Sequence, residues 1–467
     1  MSRSRVSTTI AMCVGLAATY LVLPNDSPTA IYFATAIGVI AVLGGGLFFE
    51  SRGRLQTLIR TDVIMLVALY GLTLVEFFFP QELVDERLDP QSATQSVEAL
   101  LLGFAGILLG RNFASGRRQT ATDVGSVQLS PNSLFLLFVI TFCLGYFYML
   151  VAVNFNLAEL IREMLGPRFS QAWSRGTLGG WRDLLGTLSD LLLYILPVTA
   201  GCIFADRHRY SLPQLVIVAA GLSFTLFSGF AGGTRNVFVI YFVLFVGAYI
   251  MFHSKMSWKR VTLLLGVTGS VLGLSSYYML QFRNVGLEAY IAGDTDIKGF
   301  DKGTLFIDNN LPVIGMLTDI FPDRIPYLGS EMATWALSHP IPRVLWPGKP
   351  TKLSVEVADA LGVRGASIAS TFVGESYMMG GYAAVFGVAL LFGWLAGWWD
   401  RFGHDLRSNV NVALYVSGFF AAMLSMRSML WTTTAMLPTI AIWLYLKSRK
   451  IAARPEIGRP ADRRTRI

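Results

Sequence analysis

Twelve apolar stretches run through this chain from end to end, and one long polar stretch, residues 283–371, lies between the ninth and the tenth. A bilayer core about 30 Å thick takes roughly 20 apolar residues per helical crossing. Inside it the backbone must satisfy its own hydrogen bonds, which restricts spanning segments to helices or closed barrels. The pattern therefore predicts an all-α polytopic integral membrane protein of about 12 transmembrane helices with one large extracytoplasmic loop. The expected spans are 8–23, 29–49, 61–79, 96–110, 133–153, 184–204, 212–230, 235–252, 261–280, 372–399, 409–424 and 429–447.

No soluble core hides this much apolar surface: 53% of residues are hydrophobic, 15% are charged, and the mean hydropathy is +0.53. The net charge of +8 is spread over short loops and a tail, so nucleic acid is not an expected partner. Cys13, Cys143 and Cys202 all fall inside apolar stretches and specify neither a disulfide nor a metal site. Arg3 and Arg5 precede the first apolar run, a pattern shared by signal peptides and first anchors. An anchor is expected, because further spans follow at once and no clear A-x-A cleavage site appears.

Positive charge sets the threading, since short cytoplasmic loops collect Lys and Arg. With the N-terminus inside, the cytoplasmic connections carry Arg52, Arg54 and Arg60; Arg111, Arg117 and Arg118; Arg207 and Arg209; Lys255, Lys259 and Arg260; and Arg401 and Arg407. The tail 448–467 is basic and also cytoplasmic. The chain then divides into spans one to nine (1–282, with an amphipathic outer segment at 155–182), the loop 283–371, the last spans (372–447) and the tail. Several arginines fall on the opposite side from this rule: Arg175, Arg235, Arg283, Arg343, Arg364 and Arg427.

A guanidinium near lipid is costly and persists where it faces protein or a polar cavity, and its planar fork suits phosphate oxygens. Outward arginines therefore point to an anionic ligand presented from the membrane, such as a lipid-linked pyrophosphate. For any one of them, snorkelling or pairing with a nearby acid stays open. The loop itself predicts short helices at 311–317, 327–337 and 355–361. Its proline-dense turns at 339–343 and 346–350 fix the directions of Arg343, Trp346 and Lys349. Two of these offer cations and one an indole for a sugar face.

The run Ile341-Pro342-Arg343-Val344-Leu345-Trp346-Pro347-Gly348-Lys349-Pro350, with Ser370-Thr371-Phe372-Val373-Gly374-Glu375-Ser376-Tyr377 and Gly380-Gly381, resembles the oligosaccharide repeat unit polymerases, the Wzy-type O-antigen polymerases. Gly233-Thr234-Arg235 and Phe282-Arg283 extend the likeness, and an R-x10-G pattern fits Arg175 with Gly186. Arg283, Arg324, Arg343 and Arg364 do not repeat that pattern. The resemblance implies a GT-C-like inverting glycosyltransferase of the bacterial cytoplasmic membrane. It would join undecaprenyl-pyrophosphate-linked repeat units into a surface polysaccharide at the outer face, with a flippase and a chain-length regulator as partners.

The chemistry is consistent with the residues themselves. Cleaving a sugar to pyrophosphate bond loads negative charge on the leaving group, which arginines stabilise best where water is excluded. Arg235, Arg283 and Arg343 are the expected pyrophosphate contacts, with Arg175, Arg364 and Arg427 in support. Trp346, Lys349 and Tyr377 are the expected sugar contacts. His339, the one histidine on the outer side, and Glu375, at the start of a span, both stand as general-base candidates. For each a structural role stays open: a loop histidine bonded to backbone, or an acid favoured by a helix N-terminus. No metal or Walker motif is present, so a metal-independent reaction without cofactor is expected, and Gly44–Gly46 and Gly229–Gly233 look like helix packing or turns. An O-antigen ligase using the same donor, or a lipid-linked oligosaccharide flippase, are the competing readings.

Overall fold

The computed structural model describes residues 3–52, 55–114, 128–168, 170–173, 180–253, 256–282, 285–293, 309–341, 346, 348–350, 353–362, 368–404 and 408–452. Among them every regular element is helical: α1 (Arg3–Leu21), α2 (Pro28–Ser51), α3 (Thr61–Thr73), α4 (Glu82–Arg87), α5 (Pro90–Phe113), α6 (Pro131–Ala152), α7 (Leu157–Leu165), α8 (Gly180–Ala205), α9 (Leu212–Ala231) and α10 (Arg235–Phe252). The order continues with α11 (Trp258–Phe282), α12 (Leu287–Ala292), α13 (Asn310–Ile320), α14 (Ser330–Ser338), α15 (Val357–Ala360), α16 (Thr371–Trp399), α17 (Asn409–Arg427), α18 (Thr432–Ala435) and α19 (Leu437–Ala452). Nine helices among the described residues are long and apolar enough to cross a membrane, and three shorter apolar helices, Arg5–Leu21, Thr61–Thr73 and Met429–Leu444, stand where the other expected spans lie. This is an α-helical polytopic membrane protein.

The helix starts are written locally. Ser27-Pro28, Asp89-Pro90 and Ser130-Pro131 open α2, α5 and α6: the cap oxygen accepts from free first-turn N–H groups and proline occupies the position that needs no donor. Asp89 Oδ1 accepts from Gln91 and Ser92 N–H at 2.8 and 2.9 Å.

Two large clusters dominate the four into which the apolar side chains of the described residues pack. One gathers α1, α2, α3, α5, α13 and α16, the other α6, α8, α9, α10 and the first turns of α17. The far end of α17 (Ala422, Met426) belongs to the first cluster, so this helix links both. Its apolar window is 83% buried, against 11% for α11, which lies at the periphery with Leu263, Val267 and Leu274 bare. In water such side chains would forgo about 1.5–3 kcal/mol each; against lipid they do not.

Closest contact is made by α5 and α16, through reciprocal glycines. A Cβ on Gly110 would strike the Leu390 carbonyl, and one on Gly393 the Ile107 carbonyl. Small residues let the two backbones approach, which is how helices associate when no hydrophobic force drives them together. Gly44 and Gly45, read from sequence as packing glycines, instead face open space, while Gly46 meets Met12. Gly229 does lie against the Tyr241 ring, and Gly233 takes a positive φ of 63° in the turn before α10.

Three expected spans differ in detail. The stretch 61–79 ends as α-helix at Thr73, and the Leu72 carbonyl it frees accepts from Asn310 Nδ2 at 2.7 Å. The stretch 96–110 extends at both ends into α5, which absorbs Arg111. The last stretch begins with a one-turn helix, Met429–Trp431, and α18 before α19. Arg111, expected in a basic loop, is thus a helix residue only 1% exposed. It binds Glu50 at 2.7 Å and Asp62 at 3.1 Å; Arg60 binds the same two acids at 2.8 and 2.9 Å, and Arg5 reaches Asp62 at 2.7 Å. Asp400, just beyond α16, accepts from Thr61 N–H (2.8 Å) and the Tyr415 hydroxyl (3.0 Å) beside them. Burial, and then the neighbouring Asp62 charge, pushes the Asp400 carboxyl up to about 7. The network ties one end of α1, α2, α3, α5, α16 and α17 together.

The loop helices fall where the sequence places them, as α13, α14 and α15. The first is no surface feature: Leu311, Ile314 and Leu317 are fully buried against the first cluster, and Ser92 Oγ on α5 donates to Asp319 at 2.5 Å. In the segment expected to be amphipathic, Asn156 caps α7, which buries Leu160 and Met164 and bares Leu157 and Ile161. Such a two-sided helix suits an interface.

Candidate functional site

Helix α17 stops at Arg427 because Ser428 turns extended (φ −160°, ψ 128°) before the next turn begins. That leaves the first N–H groups of the new turn without helical acceptors. Glu375, one turn into α16, supplies them: its Oε2 accepts from Met429 N–H at 2.6 Å, its Oε1 from Ser428 Oγ at 2.5 Å, and Leu430 N–H also donates to the carboxylate. Next to it, Ser376 Oγ donates to Met429 Sδ at 3.4 Å. The acid therefore fixes the shape of the break and lies within electrostatic reach of Arg427.

Arg427 is held from its other side by Asn236, the second residue of α10. With the Asn236 amide turned so that its oxygen faces the guanidinium, that oxygen accepts from Nη1 and, at 3.0 Å, from Nε. Arg235 is the adjacent residue, in the first turn of α10. Two of the expected arginines are thus brought to one end of two packed helices, and both are half-buried.

The segment after the break carries the loop. The Trp431 ring packs edge-on against His339, centroids 4.3 Å apart, with Trp335 at 6.0 Å from the same imidazole. Thr433 Oγ1 donates to the Ala336 carbonyl at 2.5 Å. Lys349 Nζ donates to the His339 carbonyl (2.8 Å) and to that of Ile341 (3.1 Å), so this cation stiffens the proline turn. Trp346, whose carbonyl accepts from Lys349 N–H at 3.1 Å, leaves its indole 39% exposed. Arg427, Glu375, His339 and Lys349 are therefore joined through residues 427–433, and Arg235 is next in sequence to the Asn236 that holds Arg427. Arg175, Arg283, Arg343 and Arg364 lie outside the described residues.

Tyr377 belongs to a neighbouring arrangement. Helix α16 breaks at Gly380–Gly381, where Gly381 has φ 66° and ψ −155°. The carbonyls this frees, Met378 and Met379, accept from Leu328 and Gly329 N–H at 2.9 and 3.0 Å, which docks the turn before α14. Tyr327 stands over Gly381 and meets the Tyr377 ring edge-on at 6.2 Å. Expected to touch sugar, Tyr377 is instead 5% exposed with its hydroxyl 3.5 Å from the Phe321 carbonyl; the open ring of the pair is Tyr327, at 37%.

Asn236, Ser428 and Trp431 were not singled out from sequence. Their signal is a polar interruption, Arg427-Ser428 and Thr432-Thr433-Thr434, inside an otherwise apolar stretch. An acid in the apolar part of α8, Asp190, is a second one: its Oδ1 accepts from the Tyr148 hydroxyl at 2.6 Å. Among the described residues no group of His, Cys, Asp and Glu is arranged to hold a metal ion.

Residues 277–429 match the family model described as a domain of unknown function (DUF8712). The matched region runs from the end of α11 through the loop and ends at the break that Glu375 holds. No curated protein and no solved structure matches the chain.

Proposed function

We propose that this protein is a membrane-embedded, GT-C-like glycosyltransferase of the bacterial cytoplasmic membrane. It polymerises undecaprenyl-pyrophosphate-linked repeat units into a surface polysaccharide. The observation that carries the reading is the convergence of Arg235 and Arg427 at adjoining helix ends, beneath a proline-braced loop that presents His339 and Trp346. In this reading both termini are cytoplasmic, the segment 283–371 is extracytoplasmic, and the chain crosses the membrane twelve times.

The reaction is a displacement with inversion at the anomeric carbon. An acceptor hydroxyl oxygen forms the new bond, the bond from that carbon to the pyrophosphate oxygen breaks, and the electron pair leaves with undecaprenyl pyrophosphate. Arg235 and Arg427 stabilise the charge that grows on the leaving group. The acceptor proton goes to His339, whose ring Trp431 and Trp335 orient. Glu375 acts by shaping the segment that carries Arg427, since both of its oxygens already accept from residues 428–430. The glycosyl-pyrophosphate bond of the donor supplies the driving force, because pyrophosphate is a stable leaving group whose own anhydride bond stays intact, and no metal or cofactor is assigned.

The test is replacement of Arg427 or Arg235 by Ala in a strain whose surface glycan is resolved by length. The expected result is collapse of long chains to single repeat units with the protein still present in the membrane. Unchanged long chains in both variants contradict the assignment.

A further inference from the structure

At the end opposite Arg235, α10 stops at Phe252 and α11 starts at Trp258, and α11 packs on the one-turn helix Leu55–Leu58. A groove of about 540 Å³ opens between the end of α10 and the start of α11, walled by Phe252, Met256, Leu263 and Leu264, with His253 and Arg260 also lining it. Trp258 is 59% exposed beside it, Lys259 and Arg260 are exposed, and the turns of α11 that follow bare Leu263 and Val267. An indole and two cations at the start of an apolar helix mark the depth where headgroups give way to hydrocarbon. Because α11 is so little buried, the groove stands open to that boundary.

We propose that this groove is a binding site for an anionic phospholipid. Its phosphate rests on Arg260 and one acyl chain lies along Phe252, Leu263 and Leu264. A free phosphate would leave the apolar wall unused, and a peptide would bring backbone polar groups against hydrocarbon without partners. A zwitterionic headgroup carries its own cation beside its phosphate, whereas an anionic one leaves its charge to Arg260, the cation that lines the groove. One cation near a membrane surface discriminates by about five-fold. The site stands apart from the arginine pair and does not rest on the glycosyltransferase reading.

The experiment uses the purified full chain in detergent, titrated with dioleoyl-phosphatidylglycerol or dioleoyl-phosphatidylcholine, with bound lipid counted by native mass spectrometry. Phosphatidylglycerol is expected to bind about five-fold more tightly. Arg260→Gln should bring it to the level of phosphatidylcholine, and Leu263→Trp, which fills the groove, should weaken both lipids. Arg87→Gln, an exposed cation in α4, should change neither. Equal binding of the two lipids by the wild-type chain overturns the proposal. So does undiminished phosphatidylglycerol binding by Leu263→Trp, a measurement that decides the matter even where Arg260→Gln does not fold.

Discussion

At the scale of single residues, the molecule uses charge in two different ways. Arg60 and Arg111 answer Glu50 and Asp62, while Asp400 stands beside that cluster with its carboxyl raised to about 7 by burial and by Asp62. An unfolded Asp titrates near about 3.9. The folded state therefore binds the extra proton between those two values, and this group's share of stability is full below pH 4 and is lost as pH rises through 7. Asp400→Asn keeps an acceptor for Thr61 and Tyr415 and carries no charge. It should flatten the fall of Tm between pH 4 and pH 7 and raise Tm at pH 8; an unaltered pH profile would refute the raised carboxyl. Sequence gave the existence of these charges and not their partners. Arg111 reads as one more loop cation until α5 is seen to run through it, and nothing local in the chain marks Asp62 and Asp400 as neighbours across 338 positions.

Elements were legible in proportion to how locally they are determined. Apolar stretches and Ser-Pro or Asp-Pro starts located the long helices, and the short apolar runs of the loop gave α13 to α15. The interruption of α16 and the broken start of the last stretch, 429–437, escaped, because each is completed by groups distant in sequence: Leu328 and Gly329 for one, Glu375 for the other. The pair Gly380-Gly381 was visible, but its left-handed geometry was not. That geometry makes a sharp prediction. Gly381→Ala puts a side chain at φ 66° and 2.7 Å from the Tyr327 hydroxyl, and should cost about 1–3 kcal/mol, read as a lowered Tm. Tyr327→Phe in the same chain should restore only part of it, because the backbone strain stays. A variant as stable as the parent would show that the break does not depend on glycine.

For the whole molecule, the candidate site is an assembly of helix ends from both large apolar clusters, with the loop laid across them. Sequence supplied several of its members, Arg235, Arg427, Glu375 and His339, through topology and resemblance. It could not supply their convergence, which depends on Asn236 meeting Arg427 and on Glu375 binding residues 428–430. Those contacts also separate the roles of two groups that looked alike in sequence: one acid becomes a scaffold, and one imidazole keeps an orientation set by tryptophans. The most direct test is to give the purified protein undecaprenyl-pyrophosphate-linked single repeat units and resolve the products by length. The account predicts a ladder of longer lipid-linked glycans that disappears with Arg427→Ala. Single units that stay unextended by the folded wild-type chain, while it moves them across a vesicle membrane, would contradict it.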